Sequence, residues 1–247
     1  MKTVLLSYFS ALRSLARPGV FWHLVWPTLL ATFLWTAAML FSWGALVGWA
    51  EGAALDAPLV GGWLQDSGVA MMVLLVLFKI SLVVFMLPLI YLTATLIIGA
   101  VALPMMLEKV AAQDYPDLAR RGGGSNLGSL WNALKVGLGF VAMLLLSLPL
   151  WLLPGAGLLI SLVLTAWLNQ RAFAYDALMV HADAYELKTI PRQHHGKLFT
   201  VGLAGAVLAH VPLLNLLAPA LTGLAFVHYL LGALRGARQN EHIIEVV

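Results

Sequence analysis

Long uncharged apolar runs alternate with short polar segments along the chain. The first two runs, residues 20–50 and 68–105, contain a single Lys, Arg, Asp or Glu between them, Lys79. A helix rises about 1.5 Å per residue, so each run exceeds the roughly 30 Å hydrocarbon core of a bilayer. The pattern therefore predicts two long transmembrane helices.

Two further runs, residues 136–170 and 198–234, are uncharged but interrupted. Proline and glycine break the first near its middle, and proline and asparagine break the second near its first third. Each run has a basic residue at both ends, which favours placing both ends on the cytoplasmic side. Each is therefore predicted to be a re-entrant helical hairpin that only partly penetrates the membrane. Two full crossings joined by a minimal external turn are the alternative. The residues predicted to form the turns are Pro154, Gly155, Gly157, Pro212 and Pro219.

The N-terminal residues 1–18 show a helical period. Leu5 and Phe9 share one face with other apolar side chains, while Arg13 and Arg17 lie on the opposite face. This pattern predicts an amphipathic helix in the membrane interface, with its arginines towards lipid headgroups. A soluble helix packed on other cytoplasmic elements is the alternative.

Basic residues indicate the orientation of the chain. Of the fourteen Lys and Arg, only Lys79 falls outside the segments expected in the cytoplasm. The sequence thus predicts an all-α integral membrane protein with a single membrane domain, 1–247, and both termini in the cytoplasm. The segments expected on the cytoplasmic side are the loop 106–135, the segment 171–197 and the tail 235–247.

Composition supports a membrane location. The chain is 62% hydrophobic and 10% charged, with a mean hydropathy of +0.92. A soluble domain carries about 25% charged residues, so this chain lacks the polar surface that a water-soluble globule needs. The net charge of +3 fits basic cytoplasmic loops better than a nucleic-acid surface, because the basic residues are scattered. The absence of cysteine excludes disulfides and thiolate metal sites.

Catalytic motifs for nucleotide, zinc-protease or serine-hydrolase chemistry are absent, so we expect no enzyme activity and no cofactor. Histidine and acidic residues between His181 and His195 match no familiar metal-ligand spacing. A solvated cytoplasmic linker is the favoured interpretation of that stretch, and no metal site is predicted.

An anion site is the main candidate for function. Arg17, Pro18 and Gly19 stand where the first helix meets the first transmembrane helix, and a helix N-terminus presents partly positive amides. With Arg13 nearby, the junction could bind an anion from the cytoplasmic side. The alternative is a plain junction anchored to anionic lipid. Asn215 completes the predicted substrate-binding residues.

Polar residues inside apolar runs are candidates for lining a pathway. They are Lys79, His210 and His228. For Lys79 the alternative is snorkelling towards the external interface, and for the two histidines it is helix packing.

Five stretches of the chain carry a resemblance to a known family: "RPGVFWHLVWPTLL", "ALPMMLEKV", "LLPGAGLLISLVLTAWL", "FAYDAL" and "HVPLLNLLAPALTGLAFVHYL". They resemble the CysZ-type sulfate permeases of bacterial inner membranes, within the etoposide-induced-transcript domain family. They occur in the family's order. The resemblance implies two long crossing helices, two partly penetrating hairpins, a homo-oligomer and sulfate uptake across the inner membrane.

The resemblance departs from the family at one functional stretch. In the sulfate permeases a hydrophobic residue and a pair of arginines follow the Pro-Gly, which implies a sulfate site there. Here Phe21 and Trp22 stand in place of that pair, so only Pro18 and Gly19 carry over, with Arg17 just upstream. The resemblance implies an inner-membrane permease or channel-like protein for a small anion, with sulfate as the implied substrate. A non-transporting membrane scaffold or lipid-interacting protein is the alternative function. Membrane lipids are expected partners in either case.

Overall fold

The computed structural model describes residues 2–211 and 214–245, with side chains described as far as residue 240. Across that part of the chain the protein is helical and contains no strand, which confirms the all-α prediction. The helices are α1 Lys2–Leu15, α2 Pro18–Leu55, α3 Gly61–Asp66, α4 Gly68–Ile97, α5 Leu103–Asp114, α6 Asn126–Ser147, α7 Ala156–Leu178, α8 Glu186–Gln193, α9 His195–Ala209 and α10 Ala218–Glu245.

Five helical segments are long and apolar enough to cross a membrane, among the described residues. They are Pro18–Leu55, Gly68–Asp114, Asn126–Leu152, Ala156–Leu178 and Ala218–Asn240. The two runs predicted to be long transmembrane helices correspond to the first two of these segments.

Several helices extend beyond the uncharged runs. The second long helical segment passes through a π-helical turn at Ile98–Ala102. It then continues beyond residue 105 and ends at Asp114. Helix α6 begins ten residues before the uncharged run, because the Ser125 hydroxyl accepts the Gly128 amide (3.0 Å) and caps it. A lysine such as Lys135 does not end a helix, so the helix extends beyond the uncharged run.

The described chain divides into two compact units. One comprises Leu24–Ala100, with most of α2, the short α3 and all of α4. Within it, the Trp35 indole donates a hydrogen bond to Thr93 Oγ1 (2.9 Å) and ties α2 to α4. Large apolar side chains such as Phe41, which is 92% exposed, cover its surface. That composition suits contact with lipid chains rather than with water.

The other unit comprises the chain up to His23 and from Val101 onwards. Its core lies along α10, which packs against α1, α5, α7 and α9. The α10 side chains that are fully buried or nearly so include Leu224, Phe226, Leu230, Leu231 and Leu234.

The first predicted hairpin consists of α6 and α7, which run antiparallel. Asn132 Nδ2 donates to the Arg171 carbonyl (3.1 Å), near the ends of the helices that lie away from the turn. The reversal is a 3-10 turn, Leu148–Leu152, followed by Pro154 and Gly155. Gly155 has φ +78°, a left-handed conformation that favours glycine.

The second hairpin consists of α9 and α10. They pack closely at Gly205, where a Cβ atom would lie 2.2 Å from Thr222 Oγ1. Pro219 is the second residue of α10, whereas Pro212 lies outside the described residues. Both hairpin turns lie at the same end of this unit, since His210 Nε2 is 2.9 Å from Ser161 Oγ near the start of α7.

Helix α1 has two distinct faces. Small residues on one face are buried against α10, including Ser7, Ala11 and Ser14. Ser14 is therefore enclosed by neighbouring helices although Arg13 and Arg17 lie close to it in sequence. The apolar side chains Leu5 and Phe9 are 69% and 61% exposed, as a lipid-facing surface requires. The interfacial position of α1 stays a prediction.

Candidate functional site: the Arg17 cluster

The end of α1 and the end of α5 meet at Arg17. Its guanidinium donates to Asp114 Oδ1 at 2.8 Å and to Gln113 Oε1 at 3.1 Å. The Arg17 side chain is 36% exposed and that of Asp114 is 22% exposed, so the ion pair is partly shielded from solvent. Arg17, the side chain predicted to bind an anion, is therefore already paired with the carboxylate of Asp114.

Ser14 and His228 extend this arrangement into the helix packing. Ser14 Oγ lies 3.2 Å from Asp114 Oδ2 and 2.9 Å from His228 Nε2. A hydroxyl carries one proton, so if Ser14 donates to Asp114, His228 must donate to Ser14 through Nε2–H. We refer to Ser14, Arg17, Gln113, Asp114 and His228 as the Arg17 cluster.

His228 is packed among neighbouring side chains. Its side chain is 8% exposed, and the Tyr115 hydroxyl donates to its backbone carbonyl at 2.9 Å. It lies in a polar cluster between α1, α5 and α10, and a role in lining a pathway stays a prediction.

The chain on the C-terminal side of the cluster adds contacts that sequence reasoning missed. The Arg235 guanidinium lies 4.6 Å from the centroid of the Tyr115 ring, donates to the Asp114 carbonyl (3.3 Å) and pairs with Asp117. Burial raises the pKa of Tyr115 to about 12, so this phenol stays protonated at neutral pH. The acidic and aromatic residues that directly follow α5 were the only feature of the sequence that could have indicated these contacts.

The Pro18–Gly19 turn makes contacts that the sequence did not predict. The amides of Val20 and Phe21 both donate to the Arg17 carbonyl at 2.9 Å, so they are used within the turn. Lys109 Nζ donates to the Gly19 carbonyl at 2.9 Å. A Cβ at residue 19 would lie 2.7 Å from that nitrogen, so the absence of a side chain at Gly19 leaves room for the lysine. Lys109 is thus a cation at this turn that the sequence did not single out.

The remaining candidates lie elsewhere. Arg13 contacts the Phe9 ring, 5.5 Å from its centroid, rather than Asp114. Asn215 and His210 lie at the turn of the second hairpin, where the Asn215 amide donates to the Val211 carbonyl at 3.0 Å. Ten residues of helix, about 15 Å, separate the start of α10 from His228, so Asn215 is not part of the Arg17 cluster. Lys79 lies within α4 in the other unit and is partly exposed.

The polar stretch after α7 takes part in an ion-pair network. Arg238 binds both carboxylate oxygens of Glu186 at 2.8 Å, and Arg121 lies 3.2 Å from Asp183 and 3.3 Å from Glu186. Among the residues that the structure describes, no three His, Asp or Glu side chains are grouped to hold a metal ion.

The chain matches the family described as sulfate transporter CysZ/Etoposide-induced protein 2.4 over residues 7–219, which is most of its length. The chain belongs to this family. The match confirms the resemblance drawn from the sequence, and with the five apolar helical segments it identifies a multi-pass membrane protein. The family is a transporter family rather than an enzyme family, and it suggests a sulfate-transporter-like role in the membrane. No curated protein and no solved structure matches the chain.

Proposed function

We propose that the protein is an inner-membrane permease for a small anion, with sulfate as the first substrate to test. Membership of the CysZ/Etoposide-induced protein 2.4 family over residues 7–219 carries the proposal. Arg17 and Lys109 supply positive charge at the Pro18–Gly19 turn, where Phe21 and Trp22 replace the arginine pair of the sulfate permeases.

Asp114 has a defined part in this proposal. An oxyanion that binds Arg17 must compete with a carboxylate already 2.8 Å from the guanidinium. Charge-assisted hydrogen bonds are the strong ones, so this competition lowers anion affinity. Arg17 would then bind the anion weakly enough to release it, which a permease requires.

The distribution of basic residues supports an orientation with both termini in the cytoplasm. Lys135, Arg171, Lys197 and Arg235 lie on α6, α7, α9 and α10 towards the ends away from the hairpin turns. Cytoplasmic ends of membrane helices are enriched in Lys and Arg. The hairpins would therefore enter from the cytoplasm.

Radiolabelled sulfate uptake into proteoliposomes tests the proposal, with empty liposomes as background. We expect uptake that other oxyanions compete away. Arg17→Ala should lower the initial rate about tenfold, the effect of losing one charge-assisted contact. Asp114→Asn should raise sulfate affinity, because it removes the competing charge. Arg192→Ala, at an exposed arginine of α8, is the matched control and should behave as wild type.

Absence of uptake above background, from protein shown to be folded and inserted, would rule out the sulfate assignment. One observation favours the alternative of a non-transporting membrane scaffold, namely the tight packing of His228 in the Arg17 cluster. That alternative predicts no flux of any oxyanion, and it predicts that Arg17→Ala lowers stability without a transport phenotype.

A further inference from the structure

A cleft of about 350 Å³ opens between the loop that follows α5 and the turn that follows α7. Two adjacent arginines, Arg120 and Arg121, line it together with polar backbone at the start of α6. The other residues that line it are Gly122, Gly124, Ser125, Asn126, Met179 and Val180. We call it the Arg120 cleft.

The loop that carries the arginines is held in place by its backbone. The Gly123 amide donates to the Ala182 carbonyl (2.8 Å) and the Gly124 amide donates to the Met179 carbonyl (3.0 Å). A Cβ on Gly123 would lie 2.2 Å from the backbone of Asp183, so only glycine permits this approach. These hydrogen bonds hold the loop against the turn that follows α7.

Arg120 retains donors for a ligand. Its ion pair is with Glu108 at 3.5 Å, and both side chains are more than half exposed. A guanidinium has five N–H donors in a fork that matches phosphate oxygens, so one weak contact leaves most of them unused. Arg121 is oriented by its contacts with Asp183 and Glu186.

An exposed apolar strip begins beside the cleft and runs along α6. Its members are spaced three and four residues apart, so they share one face of the helix. They are Leu127 (76% exposed), Leu130 (67%), Trp131 (56%) and Leu134 (50%). Helix α6 belongs to a segment long and apolar enough to cross a membrane, so this strip suits contact with lipid acyl chains. The Arg120 cleft then lies at the headgroup end of that surface.

We propose that the Arg120 cleft binds the phosphate of a phospholipid headgroup, with the acyl chains along the α6 strip. Arg120 supplies the free donors, while Arg121 lines the cleft and stays paired with Asp183 and Glu186. Inorganic phosphate shares the headgroup chemistry, but it would make no use of the strip. The site is separate from the Arg17 cluster and does not depend on the protein transporting sulfate.

Native mass spectrometry of the full chain tests the proposal, using detergent micelles doped with phosphatidylglycerol. Wild type should retain phosphatidylglycerol at stoichiometric levels. Arg120→Gln should weaken its retention about tenfold, the effect of one charge-assisted contact. Leu130→Ser should also weaken retention. Arg192→Gln removes an exposed arginine from α8, outside the cleft, and should leave retention unchanged. Circular dichroism melting of each variant confirms that it is folded.

Three results would overturn the proposal. Arg120→Gln could match wild type in lipid retention, or Arg192→Gln could lower retention as much as Arg120→Gln does. The third result has two parts: millimolar inorganic phosphate displaces the lipid, and Leu130→Ser retains the lipid as well as wild type does. That combination would indicate a site for free phosphate instead of a lipid headgroup. A folded Arg120→Gln protein that loses lipid, beside an unaffected Arg192→Gln, supports the headgroup site.

Discussion

The ion pairs of this protein differ in how much they contribute to stability, because they differ in solvent exposure. The Arg238–Glu186 pair is bidentate and both side chains are nearly buried, at 13% and 12% exposure. The Arg120–Glu108 pair joins exposed side chains at 3.5 Å. Breaking a buried pair leaves an uncompensated charge, whereas an exposed pair contributes little. The two glutamates therefore form a matched comparison.

Glu186→Ala should lower the free energy of unfolding by about 3 kcal/mol. Glu108→Ala should change it by no more than about 0.5 kcal/mol. Thermal melting of the purified variants at neutral pH, followed by circular dichroism, measures both. Equal melting temperatures for the two variants would contradict the distinction drawn from their burial.

The same pair has a defined pH dependence. The hydrogen bond from Arg238 lowers the pKa of Glu186 below its usual 4.5, and this outweighs the effect of burial. The stability that this carboxylate contributes is therefore present above pH 4.5 and is lost as pH falls through its lower pKa in the folded state. The difference in melting temperature between wild type and Glu186→Ala should shrink as the pH is lowered below 4.5.

At the scale of helices, contact between α7 and α9 depends on a small residue. A Cβ at Gly202 would lie 2.5 Å from the Ala166 carbonyl oxygen, which is backbone and has little freedom to move. Gly202→Ala should therefore destabilise the protein by about 1–3 kcal/mol, the usual cost of overpacking. Gly137→Ala, on α6 with no atom within 4 Å of the new Cβ, is the control. It should leave stability unchanged or raise it slightly, because alanine favours helix. The melting temperatures of both variants in detergent measure the difference. Equal melting temperatures would show that α7 and α9 accommodate the added methyl group without loss of stability.

The sequence predicted the helices better than their packing. Apolar periodicity and missing charge indicate a membrane helix, but they do not say whether it faces lipid or protein. In the segment Gly68–Asp114, which contains α4, none of the 18 most apolar consecutive residues is buried. In the segment Ala218–Asn240 of α10, 67% of the corresponding residues are buried. Both helices contain long apolar stretches that look alike in sequence, because a bilayer and a protein core favour the same side chains. The difference arises from neighbours distant in sequence, such as α1 and α5 around α10.

The candidate site was predicted only in part, for a related reason. Arg17 was identified from its place at a helix junction, but Asp114 and Lys109 lie about ninety residues further along the chain. No local pattern links them to Arg17. Their contacts follow from the way α5 returns to the end of α1.

For the whole molecule, the open question is how far each hairpin enters the membrane. Helices α6 and α7 have 22 and 23 residues, about 33 and 34 Å, enough to cross the hydrocarbon core. Helix α9 has 15 residues, about 22 Å, which is too short. Partial penetration is thus better supported for the second hairpin than for the first.

Cysteine labelling can test this topology without background, because the chain has no cysteine of its own. Three single substitutions sample the loop between the first two long helices, the predicted cytoplasmic segment and the second turn: Leu59→Cys, Tyr185→Cys and Val211→Cys. The loop that contains Leu59 follows a membrane helix and has no Lys or Arg, so it is expected outside. In intact cells a membrane-impermeant maleimide should label residue 59 readily, and residue 185 only after permeabilisation. Residue 211 should stay unlabelled until detergent is added, because a thiol in the hydrocarbon region is not ionised. Rapid labelling of residue 211 from outside would mean that the second hairpin crosses fully. Labelling of residue 185 from outside would reverse the orientation that the basic residues predict.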